Sequence, residues 1–110
     1  MDKIIQVFNV KMLDQIDMSE DVTSDILEIQ RVAAMSIQEV WTGFSGNALI
    51  SFQGSNDGVN FTTIDACSVI GAAGSRLINI EKAAYGYVRV IYDQDTATGT
   101  LTVSINGKAI

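Results

Sequence analysis

Apolar and polar residues alternate along much of this chain with the two-residue period of a β-strand. Leu101, Val103 and Ile105 fall on one side of the run Thr100–Ile105, and Thr100, Thr102 and Ser104 on the other. Met35, Ile37, Glu39 and Trp41 likewise oppose Ser36, Gln38 and Val40. Leu27, Ile29 and Val32 form an apolar set flanked by Ile26, Glu28 and Arg31, and Tyr87–Tyr92 is a β-branched and aromatic run with Arg89 inside it. Leu49–Phe52 follows the turn signal Gly46-Asn47, Phe61–Ile64 follows Ser55-Asn56-Asp57-Gly58, and Leu77–Ile80 follows Gly71-Ala72-Ala73-Gly74. Helical spacing also exists over residues 25–40, through Ile26, Ile29, Ala33 and Ile37. The absence of a good cap and the β-branched content argue against a helix there, leaving at most a short helix or turn near Val32–Met35. The pattern predicts an all-β fold: an antiparallel β-sandwich of seven to eight strands, each four to nine residues long.

With 110 residues, the chain is one domain over 1–110, and its 47% apolar content supplies a packed core. An opening strand over Lys3–Leu13 is greasier than a free terminus and is expected at a sheet edge, in its own subunit or exchanged into a neighbour. Residues 14–25 read as an acidic connection to the main body, since Asp14–Glu28 holds six acids and no base. No stretch is apolar enough for a membrane span, and the start lacks the pattern of a signal peptide.

The net charge of -6 argues against nucleic acid as a partner. With no histidine and a single cysteine, Cys67, the chain lacks the usual zinc ligands and nucleophile–base pairs, so no enzymatic activity and no cofactor are expected. Cys67 reads as a small buried apolar residue. Asp93-Gln94-Asp95-Thr96, with Asn56 and Asp57, offers oxygen ligands for calcium, but these residues also suit exposed hairpin tips. Carboxylate pairs of the glycosidase kind are unspecific among thirteen acids. The Gly71–Gly74 segment leads into a strand rather than a helix, which removes a phosphate loop. Among the aromatics, Trp41 and Phe52 are expected in the core. Phe44 and Tyr85, beside glycines, are the candidates for exposed platforms, and with Asn56 and Asp57 they make up the candidate surface-binding set.

Two segments carry a resemblance. Val40-Trp41-Thr42-Gly43 with Ala48–Phe61, including Gln53-Gly54-Ser55-Asn56-Asp57-Gly58, resembles a hairpin of discoidin-like sandwiches. Tyr87–Tyr92 with Gly99–Lys108 is similar to the closing hairpin of small tailed-phage virion proteins. The resemblance implies a jelly-roll or discoidin-like sandwich located on a virion, as a capsid decoration, head-fibre or tail component. The implied partners are copies of itself and other virion proteins. Carbohydrate is the alternative partner, although the sequence lacks the disulfide and the loop aromatic-plus-arginine cluster of sugar-binding discoidin domains. In Ser55–Gly58 the small polar residues reverse the chain so that Phe61 can return its ring to the sheet. Arg89 can reach across the sheet edge or pair with an acid while its stem packs.

Overall fold

The computed structural model describes residues 7–29, 34–81 and 85–108. They form seven strands: β1 (Val7–Asp17), β2 (Val22–Thr23), β3 (Leu27–Glu28), β4 (Ala34–Ser55), β5 (Thr62–Ser68), β6 (Gly74–Ile80) and β7 (Tyr87–Lys108). Every pairing is antiparallel, and there is no helix among the described residues. Half of the segment expected as a short helix or turn near residues 32–35 lies outside the described residues, as does the start of the opening strand. Ala34 and Met35 already belong to β4.

The architecture is organised by two strands of 22 residues each, β4 and β7. They pair along their whole length, from Ala34 opposite Lys108 to Ser55 opposite Tyr87. The first half of β4 has β6 on its other side and the second half has β5. The two halves of β7 pair in the same manner, the first with β2 and β3 and the second with β1. One half of the molecule therefore reads β1-β7-β4-β6 across, and the other reads β2/β3-β7-β4-β5. The halves share one buried cluster, which includes Ile37, Leu101, Val103 and Ile105 from the first and Ile50, Phe52, Val88, Val90 and Tyr92 from the second. The result is an antiparallel sandwich made from a single hydrogen-bonded sheet bent in the middle.

The bend is written into the backbone phase. Between Thr42 and Ser45, β4 spends three steps against two on β7, and between Asp95 and Thr98 the imbalance reverses. Each long strand thus carries one extra residue, and each extra residue switches which parity faces inward. Met35, Ile37 and Trp41 are buried before the bend in β4, and Ile50 and Phe52 after it. On β7 the buried set passes from Val88, Val90 and Tyr92 to Leu101, Val103 and Ile105. Gly43 (φ 63) and Thr96 (φ 55) lie in the two intervals that hold the extra residues, both in the left-handed region that lets a strand bulge without losing its ladder. Ser45 Oγ and Thr98 Oγ1 meet at 2.9 Å across the corner.

Three expectations are corrected here. Gly46-Asn47 does not reverse the chain, and Asp93–Thr96 is not a hairpin tip; both lie inside long strands at the bend. The acidic connection over 14–25 is also not a separate linker. β1 continues to Asp17, the chain turns at Met18–Glu20, and β2 begins at Val22. The physical reason is that Asp14, Asp17, Glu20, Asp21 and Asp25 are all exposed while Met18 is fully buried. The acids form the solvent side of an edge. β1 itself lies on β7 of its own chain.

The two buried rings with polar handles, Tyr92 and Trp41, both find partners. Tyr92, fully buried, donates its hydroxyl to the Met18 carbonyl at 2.8 Å. Burial, with Asp21 and Asp17 nearby, pushes its pKa up to about 12. Trp41 Nε1 donates to the Gly71 carbonyl at 3.1 Å, and the ring lies against Gly74, where a Cβ would come within 2.8 Å of it.

Candidate functional site

The loop after β4 is organised by one carboxylate. Asp57 Oδ1 accepts hydrogen bonds from the backbone N–H groups of Val59 and Asn60, each at 2.8 Å, and from Ser55 Oγ at 2.9 Å. Its Oδ2 accepts from Asn60 Nδ2 at 2.8 Å. Ser55 Oγ in turn accepts from the N–H of Asp57 and of Gly58. The backbone donors of Asn60 and Val59, followed by the Asn60 and Ser55 side chains, hold the Asp57 carboxyl well below the usual carboxylate range. Asp57 therefore shapes the loop and has little capacity left for a ligand.

The loop then folds back over the outer face of the sheet. Gly58 (φ 77) faces the Tyr87 ring, which an added Cβ would touch at 3.5 Å, and Phe61 stacks on the Arg89 guanidinium at 4.2 Å. Arg89 Nε donates to Gln53 Oε1 at 2.8 Å, and Gln53 Nε2 donates to Thr63 Oγ1 at 3.1 Å. The return of Phe61 to the sheet follows the sequence pattern. Arg89 meets an amide and a ring where an acid was one of the expected partners.

Beside this loop is a shallow pocket of about 390 Å³, lined by Gly54, Asn56, Asp57, Asn60, Thr62, Ile64 and Tyr85, among others. The Tyr85 ring lies against the bare Gly54, where a Cβ would come within 3.0 Å of it. Its hydroxyl is buried and has no hydrogen-bond partner among the described residues, and burial raises its pKa. Three of the four sequence candidates, Asn56, Asp57 and Tyr85, thus converge on one pocket. Phe44 does not join them. It is 7% exposed at the corner, with its backbone N–H bound to the Ala72 carbonyl at 2.9 Å. The expected exposed platform is a core residue because the bend turns it inward beside Ala97.

A second polar constellation was not singled out from sequence. Arg76 on β6 donates through Nε to Glu39 Oε1 at 3.0 Å and through Nη2 to Glu39 Oε2 at 3.3 Å. Its Nη2 also meets Asp65 Oδ2 on β5. Since β5 and β6 belong to opposite halves and do not pair, this bridge joins the two halves along the open side of the sandwich. Glu39 is 1% exposed, and burial raises its carboxyl above the ordinary value, with Arg76 pulling the other way. Two carboxylates keep Arg76 firmly protonated. The one available signal was Glu39's position in phase with Met35, Ile37 and Trp41. Half-buried Cys67, expected as a small buried residue, lies on β5 opposite Ile50, where burial raises its thiol.

Asp93 and Asp95 are exposed at the bend, far along β7 from the loop of Asn56 and Asp57. Among the described residues no group of three or more histidine, cysteine or acidic side chains is placed to hold a metal ion.

One outer face is free of charge over most of its extent. Ser75, Leu77 and Asn79 of β6 point outward beside Ser36, Gln38, Val40 and Thr42 of β4. Thr100, Thr102, Ser104 and Asn106 continue the surface on β7. Charges enter at one end, with Glu81 and Lys108, and along the far side on β1, where Lys11 lies opposite Ser104 and Asp17 opposite Thr100. Leu77 is 61% exposed and Val40, its diagonal neighbour, 39%.

No protein-family model matches the sequence, and no curated protein matches it. Solved structures do match the fold. SPBc2 prophage-derived protein YomS aligns over 99% of this chain and 98% of its own, with 12% identity and a TM-score of 0.63. Murine APRIL aligns over 97% of this chain and 100% of its own, with 10% identity and a TM-score of 0.62. The PBSX exported protein XepA aligns over 97% of this chain but 37% of its own, with 10% identity and a TM-score of 0.61. At such identities the likeness establishes the architecture, which unrelated functions share.

Proposed function

We propose that this protein is a non-enzymatic structural component of a bacteriophage particle, a capsid decoration or tail protein that acts by self-association or by binding a capsid surface. The observation that carries the reading is the end-to-end likeness to a prophage-derived protein, over 99% of this chain and 98% of that one. The likeness to the PBSX protein XepA points the same way. The chemistry is compatible: the Glu39–Arg76–Asp65 bridge, in which Glu39 is buried, ties strands together, and Asp57 is consumed by its own loop. Such a protein works through its surfaces, with exposed acids keeping the free form dispersed until a matching surface is met. The expected location is the virion. Mass spectrometry of purified particles of the encoding phage is expected to find the chain at a fixed ratio to the major capsid or tail proteins. Its absence from particles, with the free protein abundant in the lysate, defeats the proposal.

The pocket beside Tyr85 favours one alternative, attachment to host carbohydrate. The Asn56 amide, the Thr62 hydroxyl and the Tyr85 ring side by side are the groups that sugar recognition uses. On this reading a glycan array gives saturable binding that Asn56→Ala weakens at least tenfold. An array with no signal at high protein concentration removes it.

A further inference from the structure

The sheet edges of this molecule are treated unequally. β1 is interrupted twice in its register with β7, and carries the exposed Lys11–Asp14 pair at 3.8 Å. β2 and β3 are two residues long, and β5 has an irregularity opposite Phe52/Gln53. Short length, bulges and charges are the means by which proteins keep a strand edge from pairing with another chain. β6 has none of them. Its seven residues pair with β4 in unbroken register, and among the described residues no strand lies on its other side. Its outward residues are Ser75, Leu77 and Asn79, and its one charge, Arg76, is turned inward to Glu39.

We propose that β6 is a self-association edge, along which two copies of this chain pair antiparallel about a two-fold axis at Leu77. The inference rests on the self-association part of the function proposed above and names its surface. Charge permits a second copy at this edge and disfavours it elsewhere. Each copy carries -6, so like molecules repel over most approaches, and this edge with its neutral flanking face is where that repulsion is least.

Sequence selects the register. Pairing must keep outward residues opposite outward residues, which limits the centre to one residue of β6. A centre at Arg76 sets two guanidinium groups opposite each other. A centre at Ile78 sets Leu77 against Asn79 and shortens the overlap. A centre at Leu77 uses all seven residues: Leu77 meets Leu77, Ser75 meets Asn79, and the small Gly74 meets the large Ile80. The edge is self-complementary, as a two-fold interface requires.

Directly opposed residues in an antiparallel pair have Cα atoms about 4.5–5.5 Å apart, within disulfide range. In a Cys67→Ser background, Leu77→Cys is therefore expected to convert most of the protein to a covalent dimer under mild oxidation. Ser75→Cys alone is expected to remain uncrosslinked, and Ser75→Cys with Asn79→Cys to crosslink again. Light scattering of the unmodified chain is expected to give at least twice the monomer mass, reduced by Leu77→Lys. Asn9→Lys, on the interrupted β1 edge, is the control expected to leave the mass unchanged. A monomeric unmodified chain at high concentration overturns the inference, as does an oligomer in which Ser75→Cys crosslinks as well as Leu77→Cys. Either result leaves the particle measurement above to decide the virion assignment separately.

Discussion

Arg76→Met is expected to destabilise the protein by about 3 kcal/mol near neutral pH, because it leaves the Glu39 carboxylate buried without its counter-charge. The partial exposure of Arg76 and Asp65, 30% and 27%, places the effect at the lower end of the range for broken buried pairs. The loss is expected to depend on pH in a defined direction. Burial already raises Glu39 above the ordinary carboxylate value, so the folded chain binds this proton more readily than the unfolded one. Acidification through the interval between the raised and the ordinary value therefore adds stability from this group. Removing Arg76 widens the interval, so the deficit of the variant shrinks on going from about pH 7 to about pH 5. Urea denaturation of both proteins at the two pH values measures this, and a deficit that grows with acidification contradicts it. Glu39→Leu combined with Arg76→Met is expected to recover much of the loss, since an apolar pair needs no compensation.

Gly46→Ala is expected to cost about 3 kcal/mol or more and to disturb both halves of the sandwich at once. Gly46 has φ 100, and an added Cβ would meet the Thr96 carbonyl oxygen and come within 2.9 Å of Ala97 Cα. All of these are backbone atoms of the paired strand, which cannot give way as a side chain can. Gly71→Ala is the control: φ is 85, but the nearest atom is 3.7 Å away. It is expected to cost only about 1 kcal/mol, the penalty of the left-handed conformation itself. Thermal unfolding of the two variants separates the overlap from the backbone term, and equal losses would refute the distinction.

Much of the fold is legible in the sequence because burial on one face imposes period two. Leu101, Val103 and Ile105 point inward together, and so does the row from Met35 to Trp41. The length of the strands is not legible, because a bulge and a turn call on the same residues. Gly46-Asn47 and Asp93–Thr96 look like reversals, and only the partner strand, about fifty residues away, reveals that the ladder continues through them. The acids of β1 misled for a related reason: an edge strand with one wet side has the composition of a linker. Of the site, Asn56 and Asp57 announced a loop, and Tyr85 reaches the same pocket only through pairing between distant strands. The Glu39–Arg76–Asp65 bridge draws one residue from each of three strands and leaves just one trace, a carboxylate in an otherwise apolar row.

Because β4 and β7 run unbroken through both halves, neither layer can open while the other stays shut. Melting is therefore expected to be a single all-or-none event. The same connectivity is expected to make folding slow for so small a molecule, since even the near end of its central ladder, Ser55 opposite Tyr87, closes only across the whole of β5 and β6.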